Sequence, residues 1–148
     1  MERPLTGREG YSLIEAILVL AIAAMTIYLA SASLLDLAPK YRLEKAVREV
    51  RAALNTARAK SILDGANYRV RLRPESYAIE KFDDAADAWR PDSIHGLEGV
   101  TVETNNTPVF TPEGSVTNLA TIRILNDWGG YRLTLAITGR VKIARIGP

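Results

Sequence analysis

The fold of this chain is decided by one stretch near its N-terminus, residues 10–35, which reads GYSLIEAILVLAIAAMTIYLASASLL. From residue 16 to residue 35 the stretch carries no charge and is rich in Leu, Ile and Ala. An α-helix rises about 1.5 Å per residue, so a helix of this length spans the roughly 30 Å hydrocarbon core of a bilayer. One acidic residue, Glu15, stands at the start of the run. The stretch therefore predicts a membrane-spanning helix with a carboxylate at its edge.

The residues before this run form a short polar leader, MERPLTGREG, residues 1–10. A secretory signal peptide is cut after its apolar segment at small residues, and Ala30-Ser31-Ala32 offers such a site. Two features disfavour that interpretation: the run exceeds the usual apolar core of roughly 7–15 residues, and Glu15 is charged. A plain signal-anchor helix with a chance acid is the other alternative.

The leader, the string GYSLIE and the apolar run together closely resemble the prepilin motif of type IV pilins and type II secretion pseudopilins. The resemblance implies that a prepilin peptidase cuts between Gly10 and Tyr11, that Tyr11 is then N-methylated, and that Glu15 is the characteristic acid of the family. The family usually has a basic residue directly before the glycine, whereas this chain has Glu9.

The same resemblance implies where the chain resides and what it meets. It implies a single pass through the bacterial inner membrane, with the head in the periplasm. The implied partners are membrane lipid before assembly, the inner-membrane assembly platform, and other pilin or pseudopilin subunits, reached through the N-terminal helix. After assembly the subunit is part of a periplasmic or extracellular filament.

The physical chemistry of Glu15 agrees with this role. A carboxylate at the edge of the hydrocarbon is costly unless it is neutralised or paired. In a bundle of parallel, staggered helices, Glu15 of one subunit can meet the free N-terminal amine that cleavage is expected to create on its neighbour. Such a pair in a low-dielectric interior neutralises the acid and sets the axial register.

The remaining chain predicts an α+β fold: a long N-terminal hydrophobic helix continues into an amphipathic helix packed on an antiparallel β-sheet or β-sandwich head. Apolar residues recur at three- and four-residue spacing from Lys40 to about Leu63, where Asp64-Gly65 ends the helix. Alternating residues and Gly/Pro turns then predict short strands, with residues 83–99 as a loop. The predicted division is a leader (1–10), an assembly helix (11–35), a joining helix (36–65) and a head (66–148).

Composition excludes several kinds of chemistry. The chain has 148 residues, no cysteine and one histidine, His95, so thiol catalysis and a multi-histidine metal site are absent from it. No nucleophile elbow or phosphate-binding loop is found, so we expect neither an enzyme nor a bound cofactor. The acidic residues Asp83, Asp84 and Asp87 could bind calcium, but they lack the pattern of a calcium hand.

The basic C-terminal part leaves a second function open. Residues 120–148 carry one acid, Asp127, and five bases, namely Arg123, Arg132, Arg140, Lys142 and Arg145. A row of bases on an exposed strand can follow a phosphate backbone, although charges also protect edge strands from aggregation. On a final strand, Arg140 and Lys142 would share one face and Arg145 would lie on the other.

This half of the chain is similar to the minor pseudopilin H and FimT-like pilin family. The similarity rests on Phe110, Pro112 and Gly114, and on the string Gly139-Arg140-Val141. It implies a minor pilin or pseudopilin that helps to initiate or cap a type II secretion pseudopilus or a type IV pilus. The alternative that it implies is a DNA-binding minor pilin for uptake in natural transformation, with Arg140, Lys142 and Arg145 as candidate contacts.

Overall fold

The computed structural model describes residues 12–147, except for the side chains of residues 32–36. The chain divides into two compact units, Met1–Leu37 and Ala38–Pro148. The leader 1–10 and Tyr11 lie outside the described residues, so the predicted cleavage site between Gly10 and Tyr11 is not part of this description. Each unit is described separately below.

One helix, α1, runs from Leu13 to Asp64, and its N-terminal part belongs to the first unit and its C-terminal part to the second. It begins after Ser12, whose carbonyl accepts a hydrogen bond from the backbone N–H of Ala16 at 3.1 Å. It ends before Gly65, which adopts φ 60°, a conformation that suits glycine just past a helix end. The predicted helical character of residues 13–64 is confirmed.

The second-unit part of α1 buries one face. The side chains on this face are less than 7% exposed; they are Leu43, Ala46, Val47, Val50, Ala53, Leu54, Ala57 and Ser61. Their three- and four-residue spacing is the amphipathic pattern seen in the sequence. The hydroxyl of Ser61 donates to the carbonyl of Arg58 at 2.8 Å, so this polar group can be buried without leaving a hydrogen bond unmade.

Two four-stranded antiparallel sheets make up the rest of the second unit. The strands are β1 Tyr68–Arg73, β2 Ser76–Asp83, β3 Ala88–Gly96, β4 Thr101–Thr104, β5 Val109–Phe110, β6 Thr121–Asn126, β7 Gly129–Leu135 and β8 Val141–Ile146. The first sheet has the order β3-β2-β1-β5 and the second the order β4-β6-β7-β8. Most neighbouring strands are consecutive, so short turns set most of the register.

The core of the second unit lies between α1 and the inner faces of the two sheets. Val70 and Ile79 face each other across β1 and β2, while Ile122 and Leu133 pair across β6 and β7. All four are at most 4% exposed. Alternate residues of the same strands point outward, and the outward faces carry most of the arginines considered below.

The prediction of a loop over residues 83–99 is wrong for most of its length, because β3 occupies Ala88–Gly96. The contacts that hold β3 come from β2. The rings of Trp89 and Phe82 meet edge-to-face with centroids 5.1 Å apart, and the rings of His95 and Tyr77 stack at 5.1 Å. Pro91 is accommodated because β3 is an edge strand with an irregular register at this point.

Candidate assembly helix and head surfaces

The N-terminal part of α1 presents apolar side chains on all sides. Within the described residues one segment, Leu13–Ser31, is long and apolar enough to cross a membrane, and none of it is buried. Its large apolar side chains are 57% exposed at Ile22 and 78% exposed at Leu13. A helix that is apolar all round requires an apolar environment, either lipid or other helices.

The two aliphatic hydroxyl groups of this segment, on Thr26 and Ser31, are bonded within the helix. Thr26 donates to the carbonyls of Ile22 and Ala23 at 3.1 and 2.8 Å, and Ser31 donates to the carbonyl of Tyr28 at 2.8 Å. These bonds remove the need for an outside partner, which hydrocarbon would not provide. The two hydroxyls are therefore compatible with a membrane-spanning segment.

Glu15 lies in the first turn of α1, and its side chain is exposed. A carboxylate there is favoured by the partial positive charge of the helix N-terminus. The spacing Ser12-x-x-Glu15 also matches the capping-box sequence pattern, which the sequence prediction did not consider. With the other described residues, the Glu15 carboxylate forms no ion pair. The side chain is thus free to meet a partner outside the chain.

The predicted basic residues of the C-terminus do not form one group. Arg140 is exposed in the turn before β8, and Lys142 is exposed on the outward face of that strand. Arg145 has the opposite orientation on β8, with its guanidinium carbon 4.3 Å from the centre of the Trp128 ring. Lys40 approaches the same ring at 5.5 Å. Arg145 therefore has a packing role that does not depend on a ligand.

The strand register instead brings two other bases beside Lys142. Arg123 and Arg132 face each other across β6 and β7, and Lys142 follows diagonally on β8, opposite Thr134. The side chain of Glu103 on β4 neutralises part of this surface, since it lies 3.4 Å from Arg123. The sequence prediction missed Arg123 and Arg132 as surface partners; their alternation with buried Ile122 and Leu133 was the available signal.

The three acids considered for calcium do not form a metal centre. Within the described residues, no group of three or more His, Asp or Glu side chains has the arrangement needed to hold a metal ion. Asp83 accepts hydrogen bonds from the backbone N–H groups of Ala85 and Ala86 and pairs with Arg90 at 2.8 Å. Its oxygens therefore shape the turn between β2 and β3, and only Asp84 and Asp87 extend from it.

The comparisons with known proteins decide the fold. No protein-family model matches the chain, and no curated protein matches it. Solved structures do: the type IV minor pilin FimU of Pseudomonas aeruginosa has 20% identity and a TM-score of 0.59, covering 71% of this chain and 90% of its own. The minor pseudopilin EpsH of the Vibrio cholerae type II secretion system has 16% identity and a TM-score of 0.60, covering 70% of this chain and 97% of its own.

The fold is pilin-like. A second crystal structure of EpsH agrees, with 16% identity and a TM-score of 0.60, covering 74% of this chain and 97% of that one. The predicted α+β class and the resemblance to pilins and pseudopilins are thus confirmed at the level of the fold. At these identities the likeness concerns architecture.

In the pilin-like head, Arg58 of α1 joins the two sequence motifs that suggested the subgroup. Its Nε donates to the carbonyl of Gly114 at 3.0 Å. A Cβ atom placed on Gly139 would lie 2.8 Å from the Cδ and Nε atoms of Arg58, and one on Gly114 would lie 2.9 Å from Ile62. Both glycines also have positive φ, 76° at Gly139 and 77° at Gly114. The two turns therefore require glycine for backbone conformation and for close approach to α1.

A second polar contact ties the end of α1 to the first sheet of the pilin-like head. The hydroxyl of Tyr68 donates to Asp64 at 2.5 Å, and Lys81 lies 3.3 Å from the same carboxylate. Burial, together with this hydrogen bond, raises the pKa of Tyr68. The bond from Tyr68 and the ammonium of Lys81 lower the pKa of Asp64. The contact fixes the chain reversal at Gly65.

Proposed function

We propose that this chain is a minor pilin or pseudopilin subunit of a type II secretion pseudopilus or a type IV pilus, acting in initiation or at the tip. The observation that carries the proposal is the combination of a pilin-like head with an exposed apolar helix that bears Glu15 in its first turn. The comparison proteins are described as a minor pilin and as a minor pseudopilin. The role is structural rather than enzymatic.

The proposed sequence of events starts in the bacterial inner membrane, where residues 11–35 anchor the chain and the head faces the periplasm. The prepilin peptidase cuts between Gly10 and Tyr11, and Tyr11 is methylated. The assembly platform then moves the helix from lipid into a bundle of neighbouring helices. Since the surface of Leu13–Ser31 is largely apolar and the hydroxyls of Thr26 and Ser31 are bonded internally, both environments suit it.

Glu15 has the specific part in this proposal. The amine created at Tyr11 of one subunit pairs with the carboxylate of Glu15 on the next. In an apolar bundle, an unpaired carboxylate costs several kcal/mol, of the order of 3–5 when its partner is removed. The pair therefore selects the one axial offset that brings both charges together, while apolar contacts supply attraction at any offset.

The experiment has two readouts on the full chain expressed in its bacterial host. Mass spectrometry of the membrane form is expected to show a chain that starts at methylated Tyr11. A Glu15→Gln variant is expected to be processed but to lose incorporation into sheared filaments by at least about tenfold. Glu98→Gln, at an exposed head position, is the matched control and is expected to behave as the parent chain. A membrane form that starts at Met1, or normal incorporation of Glu15→Gln, contradicts the proposal.

A second candidate function, DNA binding for uptake, is favoured by one observation: Arg123, Arg132 and Lys142 adjoin each other on the outward face of the second sheet. Such a surface suits a phosphate backbone and reads no sequence. Salt-titrated binding of double-stranded DNA to the full chain in detergent tests it. Arg132→Ala with Lys142→Ala is expected to reduce the slope of log affinity against log salt by about 1.8, from about 0.9 per phosphate contact.

Arg140→Ala is the companion variant for the residue implied by family resemblance, and Arg48→Ala on α1 is the control. If the Arg132 and Lys142 substitutions leave the affinity for DNA unchanged, DNA binds to a different surface of the chain. No detectable binding at low salt removes DNA uptake as a function of this surface.

A further inference from the structure

The outward face of the first sheet holds a groove of about 190 Å³ between β1 and β3. Two arginines of β1, Arg71 and Arg73, form one side, and Pro91 and Ile94 of β3 form the other. Ala78 on β2 lies between them, opposite Arg71 and Ile94 in the strand register. Ile94 is 68% exposed. The groove thus combines positive charge on one wall with an apolar surface on the other.

The sheet neutralises the arginines of this groove only in part. Glu80 is the nearest acid, and its Oε2 atom is already bound to the Nε of Arg69. Its other oxygen lies 3.8 Å from Arg71, whose side chain remains 48% exposed. Within the described part of the chain, Arg73 forms no ion pair. The groove therefore presents one guanidinium without an ion pair among the described residues, that of Arg73, and one that Glu80 compensates only in part, that of Arg71.

The opposite end of the same sheet presents matching negative charge. The turn between β2 and β3 reads Asp83-Asp84-Ala85-Ala86-Asp87. Asp83 is held by backbone N–H groups and by Arg90, but Asp84 and Asp87 are exposed and form no ion pair with other described residues. Strand β2 has 8 residues, so its end Cα atoms lie about 23 Å apart, and one chain cannot satisfy both features by itself.

We propose that the groove of Arg71 and Arg73 binds the acidic turn, residues 83–87, of a second copy of this chain. The two carboxylates of Asp84 and Asp87 pair with the two guanidinium groups, and the methyl groups of Ala85 and Ala86 lie on Ile94 and Pro91. We assign the acidic turn to this groove because their charges are complementary and because an arginine can bind a carboxylate through two parallel hydrogen bonds. The inference deepens the proposed function and rests on it.

The contact joins different surfaces at opposite ends of the sheet. An interface of this kind is heterologous, and it propagates into an open row unless a rotation closes it. Where two copies of the chain are neighbours, this contact between heads adds to the packing of their helices. Because both charged groups are at the surface, the contact weakens as ionic strength rises above about 0.15 M.

Cysteine cross-linking tests the contact, and the absence of native cysteine makes it free of background. The double variant Ser76→Cys, at the groove, and Ala85→Cys, at the turn, is made in the full chain. Oxidation in membranes joins two cysteines only when their Cβ atoms approach to about 4.5 Å. The double variant is expected to yield a ladder of covalent multimers, whereas each single variant yields at most a dimer.

Charge exchange identifies the partners. Arg71→Glu with Arg73→Glu is expected to lower the cross-linked fraction at least about tenfold, because like charges then face each other. Adding Asp84→Arg with Asp87→Arg to the same chain is expected to restore at least half of the cross-linked fraction that the double-cysteine variant gives without charge changes. Arg48→Glu with Arg51→Glu, two exposed arginines of α1, is the matched control and is expected to change the fraction less than twofold.

Three outcomes separate this inference from the proposed function. A ladder that follows the charge exchange supports the contact. If the chain is incorporated into filaments normally but no cross-link forms between the groove cysteine of one copy and the turn cysteine of another, the proposed contact is wrong and the proposed subunit role is unaffected. A cross-link from either cysteine to a protein of different sequence overturns the assignment to a second copy. The same oxidation of the full chain in detergent at low salt measures the contact even where the membrane form starts at Met1 and the subunit role fails.

Discussion

Replacing Gly139 with alanine perturbs the contact by which two turns of the head are held on α1. The new Cβ would lie 2.8 Å from Cδ and Nε of Arg58, closer than carbon atoms approach in proteins. Arg58 cannot simply move away, because its Nε donates to the carbonyl of Gly114 at 3.0 Å. Displacement of the guanidinium therefore breaks that bond, so the substitution also disturbs a turn 25 residues earlier in the chain.

The expected cost has two parts. Alanine at φ 76° is strained by about 1 kcal/mol relative to glycine. Loss of a hydrogen bond from a charged donor costs about 1.5 kcal/mol more. Gly139→Ala is therefore expected to lower the free energy of unfolding of the head by about 2–3 kcal/mol, a large share of the stability of a domain of this size.

Urea denaturation of the full chain in detergent micelles measures this cost. Both tryptophans, Trp89 and Trp128, lie in the head, so intrinsic fluorescence reports on its unfolding alone. Gly65→Ala is the matched control, since Gly65 has φ 60° and a Cβ added to it would meet no atom within 4 Å apart from its chain neighbours. It is expected to cost only the backbone strain, about 1 kcal/mol.

A second background separates steric clash from strain. In an Arg58→Ala chain the obstructing side chain is absent, and Gly139→Ala is expected to cost about as much as Gly65→Ala. The reasoning is refuted if Gly139→Ala and Gly65→Ala destabilise equally in the parent chain, or if the cost of Gly139→Ala is unchanged when Arg58 is alanine.

Two further predictions concern charged and polar contacts of the head. Tyr68→Phe removes the hydrogen bond to Asp64 and is expected to lower the free energy of unfolding by about 1 kcal/mol at pH 7. Because the folded state raises the pKa of Tyr68, the contribution of its hydroxyl is fully present below the ordinary tyrosine pKa of about 10 and declines above it. The urea midpoints of the parent and variant chains should therefore converge between about pH 10 and 11. Arg69→Met leaves Glu80, whose side chain is 10% exposed, without its main partner, and is expected to lower the free energy of unfolding by about 2 kcal/mol in the same assay. Arg69→Met combined with Glu80→Leu should recover most of that loss. An unchanged loss in the double variant would show that the packing of Arg69 on Trp89 matters rather than its charge.

Local sequence patterns predicted the helices well. Helix α1 ends at Asp64, one residue beyond the predicted Leu63. This end could be predicted because the signal for it, a glycine with positive φ at position 65, lies within a few residues of the helix end. The buried face from Leu43 to Ser61 follows from helical spacing alone. The strand pair β1 and β2 was equally accessible, since alternation is clear on both sides of Pro74.

Contacts between distant residues explain what the sequence did not predict. Strand β3 contains Pro91 and has no clean alternation, and it is a strand because β2 provides Phe82 and Tyr77 as ring partners. The neighbourhood of Lys142 depends likewise on the register of three strands, which no single segment encodes. The prepilin string at Gly10, Tyr11 and Glu15 needed only contiguous residues, whereas the groove at Arg71 and Ile94 joins residues more than twenty positions apart.

The internally bonded hydroxyls of Thr26 and Ser31 have a consequence for how this chain can change over generations. These two hydroxyls make no directional demand on their surroundings, and at the aliphatic positions of the helix side chains of similar shape, such as Leu, Ile, Val and Met, can replace one another. Substitutions there alter fit by small steps. If Glu15 has the role proposed above, we expect mutational sensitivity to be concentrated at this one charged position of the segment, while the aliphatic positions can change to match new neighbours.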